Sequence, residues 1–155
     1  MPEYITKAKE ILAQIPYLTI ASVGKDGEPH NSPVFSVYDQ NYNFFWNSQK
    51  EAKHSENIRN HSKIFCVVYN SSVGEGDGKG VYMKGQAFEI NDKVEATYAL
   101  KIFYEKKNKT PPNAEDYLDE SPRRYYKFVP DFVYLNTFEK MNGLPVDGKV
   151  EIKLK

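Results

Sequence analysis

The chain has 155 residues, enough for one domain whose hydrophobic core needs no disulfide or metal staple. Its 21 basic residues balance 21 acidic ones, so the basic excess of a generic nucleic-acid binder is missing. No apolar run reaches the length of a membrane span, the polar start MPEYITKAKEIL does not read as a signal peptide, and the lone Cys66 excludes an intrachain disulfide; together these fit a cytoplasmic protein.

In chain order, Tyr4, Ile5, Ala8, Ile11, Leu12 and Ile15 follow helical spacing and predict an amphipathic helix over residues 3–14, stopped by Pro16. YLTIASV (17–23) predicts a strand, Asp26-Gly27 suits a tight hairpin, and HNSPVFSVYD (30–39) is the returning strand. Pro33 removes one ladder donor, which predicts an edge or an interruption there. QNYN turns the chain again, and FFWN (44–47) is a third strand. A short helix is expected next, opening with a capping box at Ser48-Gln49-Lys50-Glu51. Lys50, Lys53 and His54 then fall in its first turn and a half, where the macrodipole disfavours cations. They are either a solvated surface or part of an anion cradle, in which backbone N–H groups, Ser48 and Lys53 meet a phosphate. The residues alone leave both readings open.

KIFCVVYN (63–70) is a nearly continuous apolar run and predicts a strand buried on both faces, with Cys66 as a small buried hydrophobe. The glycines of GEGDGKG precede a strand rather than a helix, so they predict a flexible hairpin loop and not a dinucleotide-binding turn. VYMKGQAFEI (81–90) is the next strand. Asp92 and Glu95 have capping-box spacing at the head of a helix that runs to Lys106. Val94, Tyr98 and Ile102 on one side, with Ala96, Leu100 and Phe103 beside them, predict a wide buried face. The polar excursion NKTPPNAEDYLDESP (108–122) is either a lid or a loop. RRYYKFVPDFVYLNTF (123–138) is a strand pair or one strand bent at Pro130-Asp131, and Arg123-Arg124 either binds an anion or solvates a strand end. The tail alternates Val150, Ile152, Leu154, as a strand does. This order predicts an α+β protein with a mainly antiparallel sheet; six or seven strands at this spacing can close into a small barrel flanked by helices. The three histidines lack metal-ligand spacing, and no G-x-S-x-G nucleophile elbow is present.

Four segments in this order resemble the FMN-binding split-barrel superfamily, the relatives of pyridoxamine 5′-phosphate oxidase. They are YLTIASVGKDGEPHNSPVFSVYD, FFWNSQKEAKHSENIRNHSKIFCVVY, GKGVYMKGQAFEI and RRYYKFVPDFVYLN, and they cover most of the chain. The resemblance implies one split-barrel domain over residues 1–155, assembled as a homodimer with FMN at the interface. It implies that the backbone of Ser32, Pro33 and Val34 runs along the isoalloxazine, and that Asn47, Ser48, Lys53 and His54 hold the phosphate and ribityl chain. Asn136 matches a polar position near the flavin. The activity so implied is an FMN-dependent oxidoreductase acting on a small molecule, with no side chain named as catalytic. The alternative is a flavin-, deazaflavin- or haem-binding sensor without turnover. Two departures separate the chain from the oxidase itself. Gly80-Val81 stands where the oxidase often has a Gln, and DGKVEIKLK contains neither the Arg nor the His that binds substrate phosphate near its C-terminus. Pyridoxamine phosphate oxidation is therefore not implied. Neither nucleic acid nor membrane is an expected partner.

Overall fold

A computed structural model describes residues 1–155 and contains seven strands. They are β1 (Tyr17–Val23), β2 (Pro29–Tyr38), β3 (Phe44–Gln49), β4 (Lys63–Tyr69), β5 (Gly80–Glu89), β6 (Arg123–Met141) and β7 (Leu144–Ile152). All neighbours pair antiparallel in the order β3-β2-β1-β4-β5-β6-β7. A further pairing of β3 with β6, Phe44↔Phe128 through Gln49↔Arg123, closes the sheet partly into a ring. Around it lie α1 (Pro2–Gln14), α2 (Lys53–Asn60), α3 (Lys93–Glu105) and a 3₁₀ turn at Ala114–Tyr117. The expected α+β split barrel is the observed fold, with seven strands. No helix is long and apolar enough to cross a membrane.

Strand alternation fills the ring. Leu18, Ile20, Phe44, Trp46, Cys66, Met83, Tyr126 and Phe128 point inward, and α1 adds Ala8, Ile11 and Leu12 to the same core. Trp46 stacks on Tyr126 with ring centroids 5.7 Å apart. β4 corrects the sequence reading: Ile64, Cys66 and Val68 are buried, but Phe65 and Val67 are only half-buried on the outer face. Its apolar run reflects a barrel wall with an apolar exterior, not a strand covered on both sides.

Pro33 causes no interruption. It sits opposite Thr19 of β1, while β3 pairs β2 only at Ser36–Tyr38, so the missing donor falls on a free edge. β6 is one bent strand, the bend lying where the β5 register shifts between Lys84 and Gly85. Gly85 permits the close approach: a Cβ there would stand 2.1 Å from the Val129 carbonyl oxygen and 2.8 Å from the Pro130 Cα. Asn142 and Gly143, with φ of 52° and 80°, make the two-residue turn into β7.

A second apolar cluster lies outside the ring. Ala96, Ala99, Leu100 and Phe103 of α3 pack on Val37, Phe45 and Tyr125, and Ala114 and Leu118 extend the patch. The buried face of α3 is narrower than its sequence suggests, since Val94 is 81% exposed. The Asp92 carboxylate accepts from the Glu95 N–H at 3.0 Å, but the Glu95 side chain accepts from Lys127 at 2.8 Å and does not complete the box.

The expected capping box on α2 is absent. Ser48 belongs to β3, Lys50 lies in the turn, and the helix starts at Lys53 with Ala52 as N-cap and no side-chain cap. Local strand pairing wins over the capping pattern because Ser48 is held opposite Arg124 in the β3–β6 ladder.

Candidate functional site

α2 docks on the barrel through polar side chains more than apolar ones. His54, Ser55 and Asn57 are buried alongside Ile58. Ser55 Oγ donates to the Gln49 carbonyl at 2.8 Å, and Asn57 Nδ2 donates to Ser22 Oγ at 3.0 Å. His54 Nε2 lies 2.8 Å from Ser48 Oγ, and both residues are buried. Burial, and then the neighbouring His30, hold the His54 pKa below the usual 6.5. The imidazole is thus neutral at pH 7 in the free site. Lys53 is turned away and paired with Glu56 at 3.5 Å, one helical turn on. These placements dissolve the apparent cluster of cations at the head of the helix. One lysine precedes the helix, one is paired, and the histidine is uncharged.

His54 and Ser48 open onto a cavity of about 500 Å³. β2 contributes Pro33, Val34 and Phe35; β3 contributes Asn47 and Ser48; Tyr17 stands at the start of β1. The opposite wall comes from the end of α3 (Phe103, Tyr104), from Lys107, from Tyr117 of the 3₁₀ turn, and from Arg123 and Tyr125 of β6. Its lining includes His54, Lys107 and Arg123 and no carboxylate, in a chain whose formal charges cancel. Arg123 Nε donates to the Asn47 side-chain oxygen, which orients both groups. Burial first, and the neighbouring Tyr104 phenol next, push the Tyr117 phenol up to about 12. Burial, with Tyr117 and Tyr104 adding to it, also raises the Tyr125 phenol. These hydroxyls stay protonated through the neutral range.

Of the residues singled out from the resemblance, Pro33, Val34, Asn47, Ser48 and His54 line this cavity together. Ser32, Lys53 and Asn136 are not among its lining residues. Ser32 is half-buried opposite Ile20. Asn136 secures the glycine-rich loop: its side-chain oxygen accepts from the Gly80 N–H at 2.6 Å, and its amide donates to the Gly78 carbonyl at 3.1 Å.

The excursion between α3 and β6 forms part of the site, since Tyr117 lines the cavity. Arg124 holds it there. This guanidinium, 3% exposed, donates to the carbonyls of Tyr117 and Ser121 at 3.1 Å each, and also to that of Asp119. The Arg123-Arg124 doublet therefore divides: one arginine faces the cavity and the next is structural. Lys107 and the aromatic wall had no local signal in the sequence. They converge only when α3 and the excursion fold against the barrel. No cluster of three His, Cys, Asp or Glu side chains could hold a metal.

The family model described as Pyridoxamine 5′-phosphate oxidase matches residues 5–137. No curated protein matches the chain. Among solved structures, protein Atu2129 (unknown function) from Agrobacterium tumefaciens is similar, with TM-score 0.68 and 17% identity over 86% of this chain. The match covers 56% of that longer protein. A candidate 5-nitroimidazole antibiotic resistance protein from Bacteroides thetaiotaomicron has TM-score 0.67 and 16% identity over 84% of this chain and 81% of its own. HutZ, the haem storage protein of Vibrio cholerae, has TM-score 0.64 and 15% identity over 79% of this chain and 87% of its own. These identities establish a shared fold. With the family match spanning most of its length, the chain belongs to the pyridoxamine 5′-phosphate oxidase family.

Proposed function

We propose that the chain is an FMN-binding flavoprotein, an oxidoreductase that works as a homodimer on a small molecule. The observation that carries this reading is the carboxylate-free cavity at β2, β3 and α2, with His54, Arg123 and Lys107 in its lining. Its donor set fits a phosphate ester attached to a flat ring system. The Ser48 hydroxyl, the His54 imidazole and the Arg123 guanidinium are the groups to hold the phosphate. A phosphate dianion would favour the imidazolium form of His54 and make its bond charge-assisted. Arg123 donates to the Asn47 side chain, which supports a role for Asn47 in holding the ribityl hydroxyls. Pro33 and Val34 offer a β2 edge that β3 does not pair. FMN, when bound, supplies the hydride or electron chemistry, and the protein contributes binding, orientation and exclusion of water.

The outer barrel face supports the dimer. Tyr17, Tyr69 and Phe132 are each at least 40% exposed there, which is the kind of apolar surface a second copy covers. A haem reading needs an axial ligand facing the cavity. His54 is the lining histidine, and Ser48 engages its Nε2. The test is the absorption spectrum of purified protein before and after adding FMN, followed by anaerobic NADH or NADPH. Bound flavin that bleaches supports the oxidoreductase. Bound flavin that no reductant bleaches leaves a binding protein, and rejection of FMN removes both.

A further inference from the structure

We propose that Lys107, Tyr104 and Tyr117 form a second ligand subsite, which takes the carboxylate of a planar aromatic acid beside the flavin. The inference rests on the FMN reading and names the substrate class for the same cavity.

Two cationic side chains line the cavity from different elements. Arg123 of β6 does so with Ser48, Asn47 and His54, the groups proposed to hold the phosphate. Lys107 does so from just beyond α3. Its ammonium lies 4.2 Å from the Phe103 ring centroid, 5.4 Å from that of Phe35 and 5.7 Å from that of Tyr104. These rings fix its position without using its hydrogen-bond donors, and it has no carboxylate partner within ion-pair distance. The oxidised isoalloxazine carries no formal charge, so a phosphate held by Ser48, His54 and Arg123 leaves Lys107 free for another anion.

The surroundings select a flat, conjugated anion. Phe35 meets Tyr17 at 5.7 Å and Phe103 at 5.6 Å between centroids, both edge to face. Tyr125 meets Phe103 at 5.5 Å and Tyr117 at 4.9 Å in the same manner. A continuous aromatic wall thus runs from β1 to the 3₁₀ turn. Burial keeps the Tyr117 phenol protonated, so its hydroxyl remains a donor at neutral pH. Arg124 fixes the backbone that carries Tyr117, so the subsite is formed before the ligand arrives.

The experiment measures benzoate, and its neutral isostere benzamide, by calorimetry on FMN-loaded and FMN-free protein, with the FMN affinity measured alongside. Lys107→Met and Tyr117→Phe are compared with wild type. Benzoate should bind the FMN-loaded protein more tightly than benzamide. Lys107→Met should weaken benzoate by about tenfold or more, and Tyr117→Phe by a smaller factor, while FMN affinity stays within about twofold. Equal binding of benzoate and benzamide, or no benzoate binding, overturns the subsite. A loss of FMN affinity in Lys107→Met as large as the loss for benzoate also overturns it, by assigning the lysine to the cofactor. If wild type rejects FMN, the cofactor reading fails alone; Lys107-dependent benzoate binding to the FMN-free protein still supports the anionic subsite, and its absence rejects it.

Discussion

Acid should destabilise the ligand-free protein through His54, and a phosphate-bearing ligand should reverse that effect. His54 is 8% exposed and touches the neutral Ser48 hydroxyl at 2.8 Å. Burial and His30 lower its pKa in the folded state from 6.5. In the unfolded chain the ring titrates at its ordinary value, so the unfolded state takes up the proton first as pH falls. The stability due to this group is therefore complete above about pH 6.5 and is lost as pH drops below it. A single proton limits the slope to about 1.4 kcal/mol per pH unit. His54→Gln keeps a partner for Ser48 but removes the titration. Urea midpoints of both proteins should be measured between about pH 7.5 and about pH 5.5, where the difference between the two curves isolates His54 from the carboxylates. Wild type should lose more stability than the variant below about pH 6.5. With FMN the sign inverts: phosphate favours the imidazolium, so wild-type affinity should rise towards about pH 6 and that of the variant should stay flatter. Parallel stability curves in the ligand-free proteins would refute the reasoning.

Two further outcomes test the frame that holds the cavity. Gly85→Ala should cost about 3 kcal/mol in urea unfolding, because the new Cβ meets backbone atoms of Val129 and Pro130 that cannot rotate away; a loss below about 0.5 kcal/mol would show that the bulge relaxes freely. Glu89 accepts from Arg59 at 2.8 Å and from the Tyr126 hydroxyl at 3.0 Å, and lies 3.8 Å from Arg124 Nε. Glu89→Ala should cost about 3–5 kcal/mol, since the buried Arg124 loses its counter-charge. The same change should speed protease cleavage around the 3₁₀ turn that Arg124 fastens, and an unchanged cleavage rate would separate the two.

Much of the fold was legible because strand period and turn chemistry act locally. YLTIASV is β1 residue for residue, and Asp26-Gly27 lies in the turn that joins it to β2, with Gly27 at a φ of 82°. The start of α2 misled the capping pattern because the β3–β6 ladder extends β3 through Gln49 and claims Ser48. Val94 misled the helix periodicity, which records apolar spacing but not how much of a face finds a partner. For the site, the order of motifs pointed to β2, β3 and the head of α2, and Pro33, Val34, Asn47, Ser48 and His54 converge there. The sequence offers Arg123 as an anion binder or a strand-end charge and the segment of Tyr117 as a lid or a loop, whereas Lys107 and Tyr104 are brought in by tertiary packing that their spacing in the chain does not show.

The central claim, that this cavity grips a flavin by its phosphate, is tested most directly by comparing FMN with riboflavin, which lacks the phosphate. Quenching of flavin fluorescence gives both affinities for wild type and for the Ser48→Ala, Arg123→Gln double variant. The account predicts that wild type binds FMN tighter than riboflavin by about tenfold or more, and that the variant loses most of this difference. Equal wild-type affinities for the two flavins would contradict it.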